Sequence, residues 1–494
     1  MRALVTLLAI GMFASEVRAE GRPRYGGSVE GALLGAPVTL DPALAQSHAE
    51  ITAADLVFDT LYRAGTDGVI VPHLAAALPS AGKDGVRIVL RKDVLFHDGS
   101  PLAAADVVAS LERARTSSSR WALAAVAAIK VDGDAIELSM KAPQADLATM
   151  LALPATAVTK GGKAVGEKPI GTGSFAVESL DRKAKRLVLR AFDDHFAGRP
   201  YLDRLVLRWH DTPDGEARQY ETGGAQLSTR GVAAFTTARP KYKASDIEGP
   251  AALQLFIGFG RKHGDVTADR KFRRALDLAL SRAQFTSVSS GERVRATRLP
   301  MPIEAGAPAL AQAATTGDLD AAKAALAEAA SRVKSLAPAQ IGRLTLEVLY
   351  EDTRPDDRQV AERVAYALTK LGIKSVITAV PAPVLRDRVR RGDCDLWIGQ
   401  LGAPVTSATA WWGLAFAAGG DLWAEQRLAS GSIDQAEAIK AFDERMPIVP
   451  LVFRAVRMWH RTDVRGLSFD AIGRPDLADL FYSGDPAKPP KGTP

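Results

Sequence analysis

Cysteine is almost missing from this chain of 494 residues, which has only Cys394. That excludes an intramolecular disulfide framework, and it leaves no thiol near the amino terminus to carry a lipid anchor. Aromatic residues amount to 6%, and no run of five or more basic residues occurs. The interleaved cationic and stacking surface of a nucleic-acid binder is therefore lacking. Long apolar runs are lacking as well. None reaches the roughly 18 residues a membrane-spanning helix needs.

Enzyme signatures are also missing. There is no Gly-x-Ser-x-Gly, no phosphate-cradling Gly-x-x-x-x-Gly-Lys, no His-Glu-x-x-His and no Cys-x-x-Cys. The segment Gly258 to Gly264 follows a strand, but its glycine spacing is one residue too long for a dinucleotide fingerprint. His97-Asp98, Asp193-Asp194-His195 and His210-Asp211 are neighbour pairs with no third ligand at a useful spacing, so they read as turns rather than metal sites. Cys394, between Asp393 and Asp395, reads as a packed strand residue without an activating partner. The expectation is a chain that catalyses nothing and holds no cofactor or metal.

What is present is a well-mixed globular composition: 47% hydrophobic, 24% charged, mean hydropathy −0.02 and net charge +6. Such a chain buries substantial cores in about three domains. Arg2, the short apolar run Ala3 to Ala14, and Val17-Arg18-Ala19 form the pattern of a secretory leader cleaved after Ala19. Further along, periodicity predicts a strand from Gly26, a helix over 51–62, strands over 87–91 and 93–96, a helix over 103–115 and a hairpin over 128–141 turning at Asp132-Gly133-Asp134. Gly161 to Gly173 reads as a boundary before strands at 173–179, 186–191 and 205–209. From Leu253 on, strand and helix alternate, which predicts a mostly parallel sheet, before the tail returns to strands at 448–454 and 458–467.

Several local patterns, taken in order, resemble the family of large periplasmic solute-binding proteins that serve peptide and nickel ABC importers. They are Leu40-Asp41-Pro42; Phe58-Asp59-Thr60-Leu61 with Val71-Pro72-His73-Leu74; Phe96-His97-Asp98-Gly99-Ser100-Pro101-Leu102; Gly171-Thr172-Gly173-Ser174-Phe175; Gly198-Arg199-Pro200-Tyr201-Leu202-Asp203; Phe272-Arg273-Arg274-Ala275-Leu276; and Ile448-Val449-Pro450-Leu451. The resemblance implies an α/β fold, a two-lobed periplasmic binding protein of the type II-like class with an extra α+β subdomain. Lobe I would combine 20–50, 165–255 and 455–490, the extra subdomain would be 51–164, and lobe III 256–454. Crossings between lobes are expected near Phe256-Ile257-Gly258 and Val449-Pro450-Leu451.

The resemblance further implies a monomeric periplasmic receptor that closes over a small-molecule or peptide ligand and hands it to an ABC transporter permease. A sensor or interaction protein on the same scaffold is the alternative. Ligand-facing positions carried over are Gly35, Val38 and Thr39 after the first strand, Trp121 in the extra subdomain, and Gln400, Gly402, Thr406, Ser407, Thr409, Trp411 and Trp412 in a loop after the last lobe III strand. That loop contains no acid to meet a ligand's α-amine, Ala152-Leu153-Pro154 is followed by Ala155 where nickel-chelate binders present Arg, and Gly224-Ala225-Gln226-Leu227 departs from the usual Gly-Glu-x-Asp. The ligand class stays open: peptide-like or another small polar solute, neutral or zwitterionic.

Overall fold

The computed structural model describes residues 23–83, 85–229, 244–286, 295–308 and 317–483; the expected leader and its cleavage point lie outside them. Three sheets organise the chain. The first has seven strands in the order Ala244–Glu248, Arg457–Arg461, Leu227–Ser228, Ser28–Leu34, Arg204–His210, Arg186–Ala191 and Phe175–Asp181. Its central strand Ser28–Leu34 runs parallel to Arg204–His210, with Ser28 opposite Arg204 and Leu34 opposite His210. Val29, Leu33, Leu187, Leu189, Leu205 and Leu207 alternate inward along these strands and meet the first long helix, His48–Val57.

The second sheet has six strands, ordered Arg295–Ala296, Val449–Arg454, Leu253–Phe259, Leu396–Gly402, Thr345–Glu351 and Lys374–Val380. The expectation of a mostly parallel sheet is corrected here. Thr345–Glu351 is parallel to both Lys374–Val380 and Leu396–Gly402, but Leu253–Phe259 is antiparallel to both its neighbours. The parallel part is the part linked by crossover helices, Pro355–Lys370 and Ala382–Arg391; Leu253–Phe259 and Val449–Arg454 enter from and leave to the other sheet instead. Both faces are covered. Leu255, Ile257, Leu396 and Ile398 pack on one side, whereas Phe256 and Leu401 join the tryptophan-rich cluster on the other.

A second correction concerns the crossings. Phe256 to Gly258 and Val449 to Leu451 lie inside strands of the six-stranded sheet, so the chain passes between sheets just outside those strands, at residues 249–252 and 455–456. The two passages adjoin: Leu253 is paired with Arg454, and Gly249 N–H donates to the Val456 carbonyl at 2.7 Å.

The third sheet is a four-stranded antiparallel unit, Ser80–Ala81, Val86–Val89, Ala135–Met140 and Val126–Asp132, covered by helix Ala104–Ala114 through Val107 and Leu111. Its hairpin turns at Gly133, whose φ of +62° is the left-handed conformation that glycine takes without penalty. The foreseen strand at 93–96 is reduced to an isolated bridge between Leu95 and Pro101.

Candidate functional site

Side chains beyond the strand ends of the two large sheets meet, and the seam between them is the candidate cleft. On the seven-stranded side, Ser28–Leu34 stops at Gly35, whose φ of +82° turns the chain while its N–H donates to His210 O at 2.9 Å. The loop that follows is held by Asp41, 1% exposed, which pairs with Arg113 and accepts the N–H groups of Val165 and Ala43, both at 3.1 Å. It delivers the chain to Ser47, the N-cap of helix His48–Val57. There Ser47 Oγ accepts Glu50 N–H at 3.2 Å, and Glu50 Oε2 accepts Ser47 N–H at 2.9 Å. This reciprocal cap places His48 and Glu50 at the cleft.

On the six-stranded side, the carboxyl ends of Thr345–Glu351 and Leu396–Gly402 supply Arg354 and Gln400, and Val449–Arg454 ends in Arg454. With its amide oriented to suit the two guanidinium groups, the carboxamide oxygen of Gln400 accepts from Arg454 at 2.5 Å and from Arg354 at 3.1 Å. Arg354 also pairs with Glu351 at 3.2 Å and Asp357 at 3.0 Å. Burial pushes the Asp357 carboxyl up to about 6, against the opposing pull of Arg354 and Arg454. Burial, reinforced by Arg454, pushes the His48 imidazole down to about 4, so at neutral pH it is uncharged.

The two sides touch. Arg386, on helix Ala382–Arg391, reaches Glu50 with both terminal nitrogens, at 2.8 and 3.1 Å. Glu50 is completely buried. A side chain at Gly35 would meet Thr353 Oγ1 at 3.7 Å. The four-stranded unit closes the remaining flank through Arg120 to Glu425 at 2.9 Å and Ser407 to Asp146 at 3.3 Å.

The expected positions fall into two groups. Gly35 lies against Thr353, and Gln400 lies between Arg454 and Arg354. Val38 and Thr39 serve their own loop: the Val38 carbonyl accepts Arg182, and Thr39 Oγ1 accepts Asp41 N–H at 3.0 Å. The segment 400–412 is not one loop, which corrects the sequence reading. Gln400 and Gly402 finish a strand, a short connection carries Thr406, and Ser407 caps a helix, Ala408–Ala418, by accepting Ala410 N–H at 3.1 Å. A run of alanine, tryptophan, leucine and phenylalanine after a serine favours helix over loop, and every side of it finds apolar neighbours. Thr409 is half-buried on that helix, and Thr406 meets Gly68 of the four-stranded unit's side. Trp411 and Trp412 are fully buried: Trp411 packs edge-on against Phe453 at 5.1 Å, and Trp412 Nε1 donates to Gln435 Oε1 at 3.2 Å. Trp121 lies against Gly413, where any side chain would strike its ring. Trp411 Nε1 alone of these groups is buried without an acceptor.

Sequence reasoning missed His48, Glu50, Arg354, Asp357, Arg386 and Arg454. Only Glu50 had a local signal, the Ser47-x-x-Glu50 cap. Among the described residues no three His, Cys, Asp or Glu side chains are grouped to hold a metal ion, and no helix is long and apolar enough to cross a membrane. Burial pushes the Cys394 thiol up to about 12, as in a packed, unreactive position.

The model of the family described as bacterial extracellular solute-binding proteins, family 5 Middle, matches residues 69–421. Protein XP55 of Streptomyces lividans is 28% identical over 286 residues, 54% of this chain and 51% of that protein. The chain spans about half the length of the curated relatives it matches. Among solved structures, the ABC transporter-associated periplasmic binding protein DppA of Helicobacter pylori, in complex with peptide STSA, superposes with a TM-score of 0.77 at 18% identity, covering 93% of this chain and 99% of that one. The PBP AgaA of A. tumefaciens R10, in complex with agropinic acid, superposes with a TM-score of 0.74 at 19% identity, covering 90% and 95%. At these identities the likeness establishes the two-lobed fold.

Proposed function

This chain belongs to the bacterial extracellular solute-binding proteins, family 5, a family of binding proteins, and on that premise we propose that it is the receptor of an ABC-type importer. It closes over a peptide-like or other small polar solute and delivers it to a membrane permease. The reading rests above all on one observation: polar side chains of the two bodies meet, Glu50 with Arg386 and His48 near Arg454, while Arg454 and Arg354 bracket Gln400. Buried polar groups from two bodies converging on one crevice suit a ligand that is desolvated as the bodies close. The two solved likenesses hold a peptide in one case and agropinic acid in the other.

In this scheme lobe I is 20–50, 165–255 and 455–490, the extra subdomain is 51–164 and lobe III is 256–454, with the adjoining passages at 249–252 and 455–456 as the hinge. A few backbone torsions there suffice to rotate one lobe on the other. The protein works as a periplasmic monomer after loss of residues 1–19, without enzymatic turnover. Gly35 and Gln400 flank the ligand, and the Trp411 N–H, lacking an acceptor, is available to it.

Native mass spectrometry of protein purified gently from its host tests the reading, combined with small-angle scattering before and after removal of the retained solute. The expected result is a mature chain starting at Glu20, one retained polar solute and a more compact particle with solute bound. A chain that retains nothing, binds no member of a peptide and polar-metabolite panel and never compacts would refute it.

A further inference from the structure

A second cavity, of about 230 Å³, lies at the opposite end of helix His48–Val57 from the cleft, where the segment after that helix meets the loop 195–201 and the carboxyl-terminal stretch 470–479. Five aspartates line it against three arginines. Arg474 is already committed to Asp470 at 2.6 Å and Asp55 at 3.2 Å, and Arg63 to Asp476 at 2.6 Å. The lining is thus left with an excess of negative charge.

Two hydrogen-bond acceptors face each other in this wall. His195 directs Nδ1 at the Gly198 carbonyl, 3.2 Å away, so in the neutral ring Nδ1 carries the hydrogen and Nε2 is a lone pair. That Nε2 is buried, has no hydrogen-bond partner, and stands 3.9 Å from Asp59 Oδ2; both side chains are 8% exposed. Asp59 is an anion. Burial opposes its charge, but His73, donating to Oδ1 at 2.8 Å, together with the nearby His195, holds the carboxyl well below its ordinary range. Asp59 Oδ2 accepts one further bond, from Thr172 Oγ1 at 2.8 Å. A third acceptor, Asp55 Oδ2, is buried in the same lining without a hydrogen-bond donor. Acceptors gathered in a net-negative cavity call for a group that is cationic and carries several N–H donors.

We propose that this cavity is a second ligand site, for the primary ammonium group of a small amine, bridging His195 Nε2 and Asp59 Oδ2. Nothing in the proposal depends on what the main cleft binds. Its volume admits a small amine and not a peptide. An ammonium ion there ties the loop that carries His195 to Asp59 and so stiffens the seam between lobe I and the extra subdomain.

The proton is the natural competitor, because protonated His195 would present Nε2–H to Asp59 itself. The groups around His195 are Asp59, His73, Phe196, whose ring lies tilted with its centroid 4.5 Å away and carries Arg91 over it, and His97. His97 stays neutral, since burial lowers its pKa and its Nδ1 accepts Gly171 N–H at 3.3 Å.

The test is calorimetric titration of the full mature protein with ethylammonium chloride at pH 8, with tetramethylammonium chloride as the control that has the charge but no N–H. Saturable binding of ethylammonium alone is expected. It should weaken by about tenfold or more in His195→Phe, as expected for loss of a charge-assisted hydrogen bond. Arg386→Ala, in the main cleft, should leave it unchanged. Absence of saturable binding, equal binding of tetramethylammonium, unchanged binding in both His195→Phe and Asp59→Asn, or loss in Arg386→Ala would each overturn the proposal. The last outcome would place the amine in the main cleft instead.

Discussion

The bidentate pair between Glu50 and Arg386 makes closure of the lobes measurable. Glu50 is fully buried and Arg386 is 25% exposed on its side chain. Removing one partner of a buried ion pair costs about 3–5 kcal/mol, because the other charge is left in a poor solvent. Two features reduce that figure here. Arg386 is partly solvated, and Glu50 keeps the N–H groups of Ser47 and Gln46 at 2.9 and 3.0 Å. A cost of about 1.5–3 kcal/mol for Arg386→Ala follows. If the lobes part when solute leaves, water reaches Glu50 and the cost vanishes, so the penalty falls on the closed, liganded state. Affinity for the retained solute should therefore fall roughly 10- to 100-fold, while the melting temperature of the solute-free protein stays close to that of the parent. Titration calorimetry gives the first quantity and scanning calorimetry the second. In a double-mutant cycle, Glu50→Gln added to Arg386→Ala should cost much less than the two changes separately. Unchanged affinity in Arg386→Ala, or a loss matched by equal destabilisation of the solute-free protein, would mean that the pair holds the fold rather than the closed state.

Two further outcomes follow from the same geometry. Trp411→Phe and Trp412→Phe should separate, whereas alanine at either fully buried position would mainly cost about 3–5 kcal/mol of fold stability. Trp412→Phe gives up its bond to Gln435 and should lower urea stability by about 1 kcal/mol; Trp411→Phe, losing an N–H that has no acceptor, should spare stability and weaken solute binding. Asp357 sets a pH dependence. Its folded pKa, pushed up to about 6, lies above the ordinary value of 3.8, so between those values the folded state binds the extra proton and stability falls as pH rises. The effect is on the order of 2–3 kcal/mol across that window. Asp357→Asn should flatten the curve in urea titrations from pH 4 to 7, and an unaltered slope would assign the dependence elsewhere.

The sequence made the scaffold legible wherever side chains repeat with one period. Strands Arg186–Ala191 and Leu253–Phe259 stand out as short, largely buried apolar runs, and helix Ala104–Ala114 announces itself through Val107, Leu111 and Asp106 at its start. Helix Ala408–Ala418 escaped because it is apolar on every side; without a polar face it has no stripe to read. The cleft was half legible. Gly35 and Gln400 sit at strand ends, and strand ends can be located in one dimension. Arg386, Arg354 and Arg454 owe their roles to the approach of two bodies, and no spacing in the chain encodes that pairing.

The strand Arg457–Arg461 lies between Leu227–Ser228 and Ala244–Glu248, about 200 residues earlier in the chain. A ribosome therefore finishes nearly the whole polypeptide before the seven-stranded sheet can be joined. The strands between Leu253 and Arg454, by contrast, complete their own sheet without borrowing from either side. Contacts so distant in sequence form slowly, because the loop must close before they reward it. The order of assembly is thereby set: the four-stranded body can fold as it emerges, whereas both large sheets wait for strands near the end of the chain, Val449–Arg454 in one and Arg457–Arg461 in the other. A chain so arranged stays unfinished until synthesis is almost over.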